Sequence, residues 1–335
     1  MPIVSSIEPA IEHPADLVHI VSHGPHCLDG VTAAVAVARF HAGTEVQARF
    51  ANNPEVNEVI LSVPAPPPGK VHHLWITDIS WTKPEADRHL RALAAAGTRI
   101  FWVDHHRTAI ERLRRGAIDV PLNELVVEDT YAASRLVFEH LRARLVESGP
   151  AAPEFLALER LVMLADDNDR WIHALAGSRK LALVVGAMRE NDAYRELLTI
   201  DAGVTYTPVM REAEARLDAE LAATHALAER TRCERMVGDV RVVAAWCAGY
   251  PSEVGDAWGR HASRLVMALY DTKNDGVSFR RSPDGPIDLS RLAERFGGGG
   301  HAAAAGCKIE GLGRQDAGAL CELVAAAVAG VLRGG

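Results

Sequence analysis

Through the first 150 residues, short apolar runs alternate with longer stretches whose apolar positions recur at helical spacing. Leu17–Val21 (LVHIV) reads as a strand, Val31–His41 as a helix, Val46–Phe50 as a second strand and Pro54–Ser62 as a short helix. His73–Asp78 (HLWITD) predicts a third strand. A helix over Pro84–Ala96 is stopped by Gly97, and Arg99–Asp104 (RIFWVD) predicts a fourth strand. Glu124–Glu128 predicts a fifth strand, and Tyr131–Glu147 the helix that follows it. Strands separated by crossover helices define an α/β fold with a doubly wound parallel sheet.

The pattern changes after residue 150. Pro153–Leu164 and Arg179–Ala187 read as helices, and Pro208–Arg230 as a long one with Met210, Leu217 and Leu221 on a single apolar stripe. The last hundred residues predict a smaller α/β unit. Its strands are Val240–Ala245, Leu265–Tyr270 and Gly276–Arg281, the last two joined by a hairpin turn at Lys273–Gly276. Helices are expected over Asp288–Phe296 and Asp316–Leu332. The organisation this implies is an α/β domain over residues 1–205, a helical linker over 206–232 and a smaller α/β domain over 233–335.

Composition narrows the function classes. Of 335 residues, 48% are hydrophobic and 24% charged, which is the make-up of an ordinary globular protein. The net charge of -8 argues against a protein that tracks long nucleic acid, since such proteins carry a basic surface. It leaves room for a short anionic substrate in a local basic pocket. Five cysteines with no C-x-x-C pair indicate a reduced, cytoplasmic protein without a disulfide framework. Residues 1–17 lack a basic start followed by an apolar run, so no signal peptide is expected, and no run of about 18 apolar residues predicts a membrane span.

Three of the first four strands end in residues that ligate metals. Strand one runs into His23, His26, Cys27 and Asp29-Gly30; strand three ends at Asp78; strand four ends at Asp104-His105-His106. Ligands of an open parallel sheet bind in the crevice at the carboxyl ends of its strands, so these side chains are expected to converge. Carboxylates and imidazoles suit divalent ions such as Mn²⁺ or Mg²⁺, and several carboxylates in one crevice repel unless cations lie between them. A further acidic cluster, Asp166-Asp167-Asn168-Asp169, follows a helical run, where three acids oppose the negative end of the helix dipole. Near the C-terminus, Gly297-Gly298-Gly299-Gly300-His301 precedes Ala302-Ala303-Ala304-Ala305-Gly306; consecutive glycines let backbone N–H groups approach a phosphate closely.

Together these motifs resemble the DHH phosphoesterase family, in its branch with a C-terminal DHHA1 domain, and the resemblance spans nearly the whole chain. That branch includes oligoribonucleases, phosphatases of 3',5'-bisphosphorylated adenosine, cyclic-dinucleotide phosphodiesterases and RecJ-like exonucleases. The resemblance implies hydrolysis of terminal phosphoester bonds in short single-stranded RNA or linear dinucleotides, with two divalent cations, Mn²⁺ before Mg²⁺. It implies that Asp29, Asp78, His105 and Asp167 hold one ion, with Asp166 and Asp169 as alternatives to Asp167. His23 and a bridging Asp78 would help hold the other ion. His106 would lie beside the reacting phosphate, supported by Asp104. Arg280, Gly298, Gly299, Gly300 and His301 would grip the nucleotide, with Arg280 making bidentate hydrogen bonds. The resemblance also admits a homodimer. Phosphatase, cyclic-dinucleotide phosphodiesterase and catalytically weakened nucleotide-binding regulator stand as alternatives.

One position departs from the family pattern. The first motif is H-x-x-x-D-x-D-G, whereas this chain reads His23-x-x-x-Cys27-x-Asp29-Gly30. A thiol is softer than a carboxylate and must lose its proton before it binds. The change weakens the first metal site, shifts its metal preference, or hands the role to His26. Cys27→Asp is therefore expected to retain or raise Mn²⁺-dependent turnover in steady-state assays. Complete loss of activity would show that the thiol has a role of its own.

Overall fold

The alternating runs of the first half fold as the pattern requires. The computed structural model describes residues 15–148, 152–312 and 316–333. Residues 1–14, on which the absence of a signal peptide was read, lie outside that range. The first unit begins with β1 (Leu17–His23), α1 (Leu28–Phe40), β2 (Glu45–Ala51), α2 (Val56–Leu61) and β3 (His72–Thr77). It continues through α3 (Pro84–Ala95), β4 (Arg99–Asp104), α4 (Arg107–Arg114), β5 (Glu124–Val127) and α5 (Ala133–Ser148). All five strands run parallel in the order β2-β1-β3-β4-β5. The chain winds outward from β1 to β2 and then returns to β3, so the winding reverses between β1 and β3. That reversal opens a crevice at the carboxyl ends of both strands.

Helices cover both faces of this sheet. On one, Val56 and Ile60 of α2, Leu90 and Leu93 of α3 and Ile110 of α4 form a single core with Ile76, Ile100 and Trp102 of the strands. The other face carries α1 and α5. Every residue of α1 from Leu28 to Ala38 is buried, because the helix lies between the sheet and the helices outside it. Those are α5, α6 (Pro153–Leu156), α7 (Glu159–Asp169), α8 (Ser178–Ala187) and α9 (Asp192–Leu198). Helix α7 runs five residues beyond the predicted Leu164 and carries the acidic cluster within its last turn.

The stretch expected as a linker over 206–232 is one continuous helix, α10 (Pro208–Thr231). The two compact units divide inside it, between Glu214 and Ala215, rather than at residue 205. The second unit holds β6 (Cys233–Val237), β7 (Val240–Cys247), α11 (Pro251–Gly259), β8 (Leu265–Asp271), β9 (Gly276–Arg281), α12 (Leu289–Glu294), β10 (Gly299–Gly300), β11 (Ala304–Cys307) and α13 (Ala317–Arg333). Its sheet order is β10-β11-β9-β8-β7-β6, antiparallel except for the β7–β8 pair. Leu289 and Leu292 of α12 and Leu320, Val324 and Val328 of α13 pack on one face of it, and Val254 of α11 on the other. Among the described residues no helix is long and apolar enough to cross a membrane.

At the amino ends of the parallel strands lies a layer of buried histidines that the sequence pattern did not reveal. His19 Nδ1 lies 2.7 Å from His72 Nε2, and His72 Nδ1 lies 2.9 Å from Thr98 Oγ1. His73 is buried with neither ring nitrogen hydrogen-bonded to a described residue. It contacts the rings of His41 and Phe101 at 5.5 and 5.0 Å. Burial, reinforced by neighbouring positive groups, lowers His41 and His72 to about 4 and His73 to about 3. Unfolding frees each ring to take a proton near pH 6.5, so stability is complete above that pH and falls as the pH drops toward 4. Urea unfolding at pH 5 is expected to give a stability lower than at pH 7.5 by about 2 kcal/mol or more. His73→Phe, which removes one titrating ring and fills the same space, should recover part of that loss; an unchanged difference would acquit the layer.

Candidate metal centre

The crevice between β1 and β3 is built by close approach of backbone. A Cβ on Gly30, in the first turn of α1, would stand 2.2 Å from the His23 carbonyl oxygen and 2.9 Å from Asp78 Oδ2. Only glycine lets α1 begin this close to the end of β1. Asp78, just past β3, has φ of 58°, a left-handed conformation that aspartate tolerates better than most residues. Its N–H is tied to the Val103 carbonyl at 2.9 Å. The strained residue is thus fixed with its carboxylate turned into the crevice, where it is 2% exposed.

Asp78 is the hub. Its Oδ2 lies 3.4 Å from His23 Nδ1 and 3.6 Å from Cys27 Sγ; its Oδ1 lies 3.2 Å from His105 Nε2 and 3.8 Å from His106 Nδ1. His105 Nε2 also lies 3.5 Å from Asp169 Oδ2 and 3.8 Å from Asp29 Oδ2. One imidazole nitrogen therefore faces three carboxylates. Asp29 is anchored from behind: Ala133 N–H donates to its Oδ2 and Ser134 N–H to its Oδ1, each at 2.9 Å, and the Ser134 hydroxyl donates as well. The carboxylate caps the start of α5 and gains from the positive end of that helix. Asp104, wholly buried at the end of β4, accepts through Oδ1 from the N–H groups of His105 (2.7 Å) and His106 (3.1 Å) and from His106 Nδ1 (2.7 Å). It orients both histidines through this one oxygen.

The electrostatics expose the missing charge. Burial, then the charges of Asp78 and Asp169, push the Asp29 carboxyl well above its usual range. Burial likewise raises Asp169. At Asp78 burial acts upward too, but the imidazoles of His105, His23 and His106 outweigh it and hold the group at about 2. Burial alone would lower His105; the surrounding carboxylates reverse this and raise it to about 9. A protonated His105 thus occupies the electrostatic place of a cation. Burial, then the neighbouring Asp78 and Asp29, also pushes the Cys27 thiol well up, so it remains protonated until a cation compensates.

Three sets of side chains offer ligand atoms close enough to share an ion: His23-Cys27-Asp78, Asp78-His105-His106 and Asp29-His105-Asp169. Asp78 and His105 each belong to two of the sets. Asp78 Oδ1 is buried and, though His105 Nε2 lies 3.2 Å away, makes no well-aligned hydrogen bond with a described residue, an acceptor placed for a cation. Carboxylate and imidazole donors match intermediate and hard divalent ions. The residues fit such an ion.

The acidic cluster corrects one expectation. Its three acids point three ways, and the one brought to His105 is Asp169, not Asp167. The Asp167 carboxylate takes the N–H groups of Ala174 (2.9 Å) and Leu175 (3.2 Å) and the Ser178 hydroxyl. These hydrogen bonds outweigh the upward push of burial and lower its pKa. Asp166 takes the Ala132 N–H at 2.8 Å and pairs with Arg135 at 3.0 Å. The predicted nucleotide-gripping residues lie in the second unit. Arg280 on β9 donates to the Ser252 hydroxyl at the start of α11 and to the Phe279 carbonyl. Gly298 and Gly300 are required by the sheet: a Cβ on Gly298 would stand 2.1 Å from the Gly306 carbonyl oxygen, and one on Gly300 2.5 Å from Ala305 Cα. Gly299 and His301 are exposed.

Residues 248–330 match the DHHA1 domain. Over 310 residues the chain is 28% identical to the oligoribonuclease NrnB of Bacillus subtilis, covering 87% of this chain and 72% of that protein. The chain thus carries a DHHA1 domain in its C-terminal part. Its fold is similar to that of the pGpG-specific phosphodiesterase PggH from Vibrio cholerae, with a TM-score of 0.55 at 14% identity over 93% of this chain and 99% of that one. It is similar also to exonuclease RecJ bound to manganese, with a TM-score of 0.53 at 17% identity over 95% and 92% of the two chains.

The two neighbouring acids make separable predictions. Asp169→Asn should weaken Mn²⁺ binding on the order of tenfold or more, while the melting temperature in EDTA stays level or rises as a repulsion with Asp29 and Asp78 is removed. Asp167→Asn should lower the melting temperature in EDTA by several degrees, since a buried, hydrogen-bonded carboxylate is lost at roughly 1–3 kcal/mol. Calorimetry of both variants checks the pair, and the reverse pattern would return the ligand role to Asp167.

Proposed function

We propose that the chain is a metal-dependent phosphodiesterase that removes mononucleotides from short oligoribonucleotides or splits linear dinucleotides. The observation that carries this is the meeting of Asp29, Asp78 and Asp169 around the single nitrogen of His105, within 3.2–3.8 Å. Two buried carboxylates, Asp29 and Asp78, meeting a third, part-exposed one at a single point are the signature of a polyvalent cation site. The kinship to an oligoribonuclease supplies the substrate class, and the net charge of -8 favours short substrates over long ones.

In this reading Asp29, Asp78, His105 and Asp169 hold one ion, and His23, Asp78 and Cys27 the other, with Mn²⁺ the preferred metal. Such a pair supplies a water of lowered pKa and neutralises charge on the phosphoryl oxygens. The protein's own groups do the positioning. Asp104 accepts from His106 Nδ1, which fixes that nitrogen as a donor and leaves Nε2 to meet a phosphate oxygen. His106 is 44% exposed at its side chain, against 17% for His105, so it is the histidine of the pair that substrate reaches. In the DHHA1 unit, Arg280 and the exposed rim of the glycine hairpin, Gly299 and His301, contribute nucleotide contacts of that unit's own.

Purified protein with Mn²⁺ is expected to hydrolyse dinucleotides and short RNA faster than longer RNA, bisphosphorylated adenosine or polyphosphate. His106→Ala should reduce turnover by about 10²–10⁴-fold with Mn²⁺ binding retained. Hydrolysis of bisphosphorylated adenosine alone would transfer the assignment to a phosphatase, and no hydrolysis of any of them would leave a nucleotide-binding regulator.

A further inference from the structure

Two residues beyond Asp169 the chain turns into a short loop that is costly to build and presents apolar surface to solvent. Trp171 is 61% exposed and Ile172 50%. Trp171 and His173 both have positive φ, 57° and 52°, a conformation that histidine tolerates but a bulky tryptophan seldom adopts. The loop is riveted in that shape. Trp171 N–H bonds to the Asn168 carbonyl at 3.0 Å, Ile172 N–H bonds to the Asp167 carbonyl at 2.9 Å, and the buried Asp167 carboxylate holds Ala174, Leu175 and Ser178. The indole is steadied by the ring of His173 at 4.4 Å and by the guanidinium of Arg179 at 4.5 Å from its centroid. A second arginine, Arg170, adjoins it in sequence.

Core packing does not explain this arrangement, because the ring is largely outside. Its position does explain it. Two residues of backbone span at most about 7 Å, so the Cα of Trp171 lies within that distance of the Cα of Asp169, which faces His105. A held aromatic ring a short span of chain from the candidate metal centre, with the guanidinium of Arg179 against it, has the chemistry of a nucleobase platform on which a base stacks. We propose that Trp171 stacks on a base of the oligonucleotide substrate and that Arg179 holds the indole in register for it. The inference rests on the nucleotide-hydrolase reading and adds a base-recognition element to it, one that tolerates any base because every base offers a π face.

The test is binding of two ligands to the full-length Mn²⁺-loaded chain by calorimetry: guanosine 5'-monophosphate, and ribose 5-phosphate, which has the phosphate and sugar but no base. Trp171→Ala is expected to weaken the nucleotide about tenfold or more and to leave the sugar phosphate within about twofold. Trp171→Phe should restore most of the loss, and Trp171→Leu serves in place of the alanine variant should that fail to fold. Equal weakening of both ligands, or of neither, overturns the proposal. A variant that binds nucleotide normally but sediments as a smaller species than the parent also overturns it, placing the ring between copies of the chain. Selective loss of nucleotide binding in a protein that hydrolyses no oligonucleotide would uphold the stacking role and overturn the hydrolase reading alone. Binding of neither ligand by the parent protein overturns both.

Discussion

The structure turns on a repulsion. Folding brings the buried Asp29 and Asp78 and the part-exposed Asp169 of α7 to one point, where the carboxylates raise the energy of one another and desolvation adds to it. Without an ion the space is held together by one imidazolium, His105, whose proton the three acids stabilise. Much of the surrounding architecture serves to keep the acids from escaping. Gly30 brings α1 against the end of β1, the left-handed backbone at Asp78 aims its side chain inward, and the start of α5 clamps Asp29. A cation bound among these groups would relieve that repulsion.

The strand ends were legible because two periodicities meet there. Apolar runs of β type stop at a polar residue, and a parallel sheet must then turn at its carboxyl edge, so His23, Asp78 and Asp104-His105-His106 had to share an edge. Most regular elements of the second unit were legible for the same reason, but α11 was not read from the sequence, nor were strands where side-chain pattern was lacking. Strand β6 (CERMV) has no clean alternation, and β10 and β11 are built of glycine and alanine, with no apolar contrast to read. The glycine run drew attention to a phosphate cradle, whereas Gly298 and Gly300 answer first to the tight pairing of β10 with β11.

The choice among Asp166, Asp167 and Asp169 was not legible. Consecutive helical positions point about 100° apart, so three acids in one turn face three directions, and which faces the crevice depends on the rotation of α7 against α1 and α5. That rotation is fixed by tertiary packing. The histidine layer was hidden for a different reason: His19, His72 and His73 lie inside strands that read as apolar by their neighbours, and nothing local says that those rings are buried.

The clamp on Asp29 separates two events that many metalloproteins combine. Its two oxygens already receive donors from Ala133 and Ser134, so the carboxylate is locked in orientation by the same hydrogen bonds that start a helix. The conformational entropy of placing this ligand is therefore spent during folding of the polypeptide, and none of it remains to be lost when an ion arrives. An ion can then leave and be replaced without disturbing helix α5, and exchange of one metal for another becomes a question of local coordination chemistry and not of refolding.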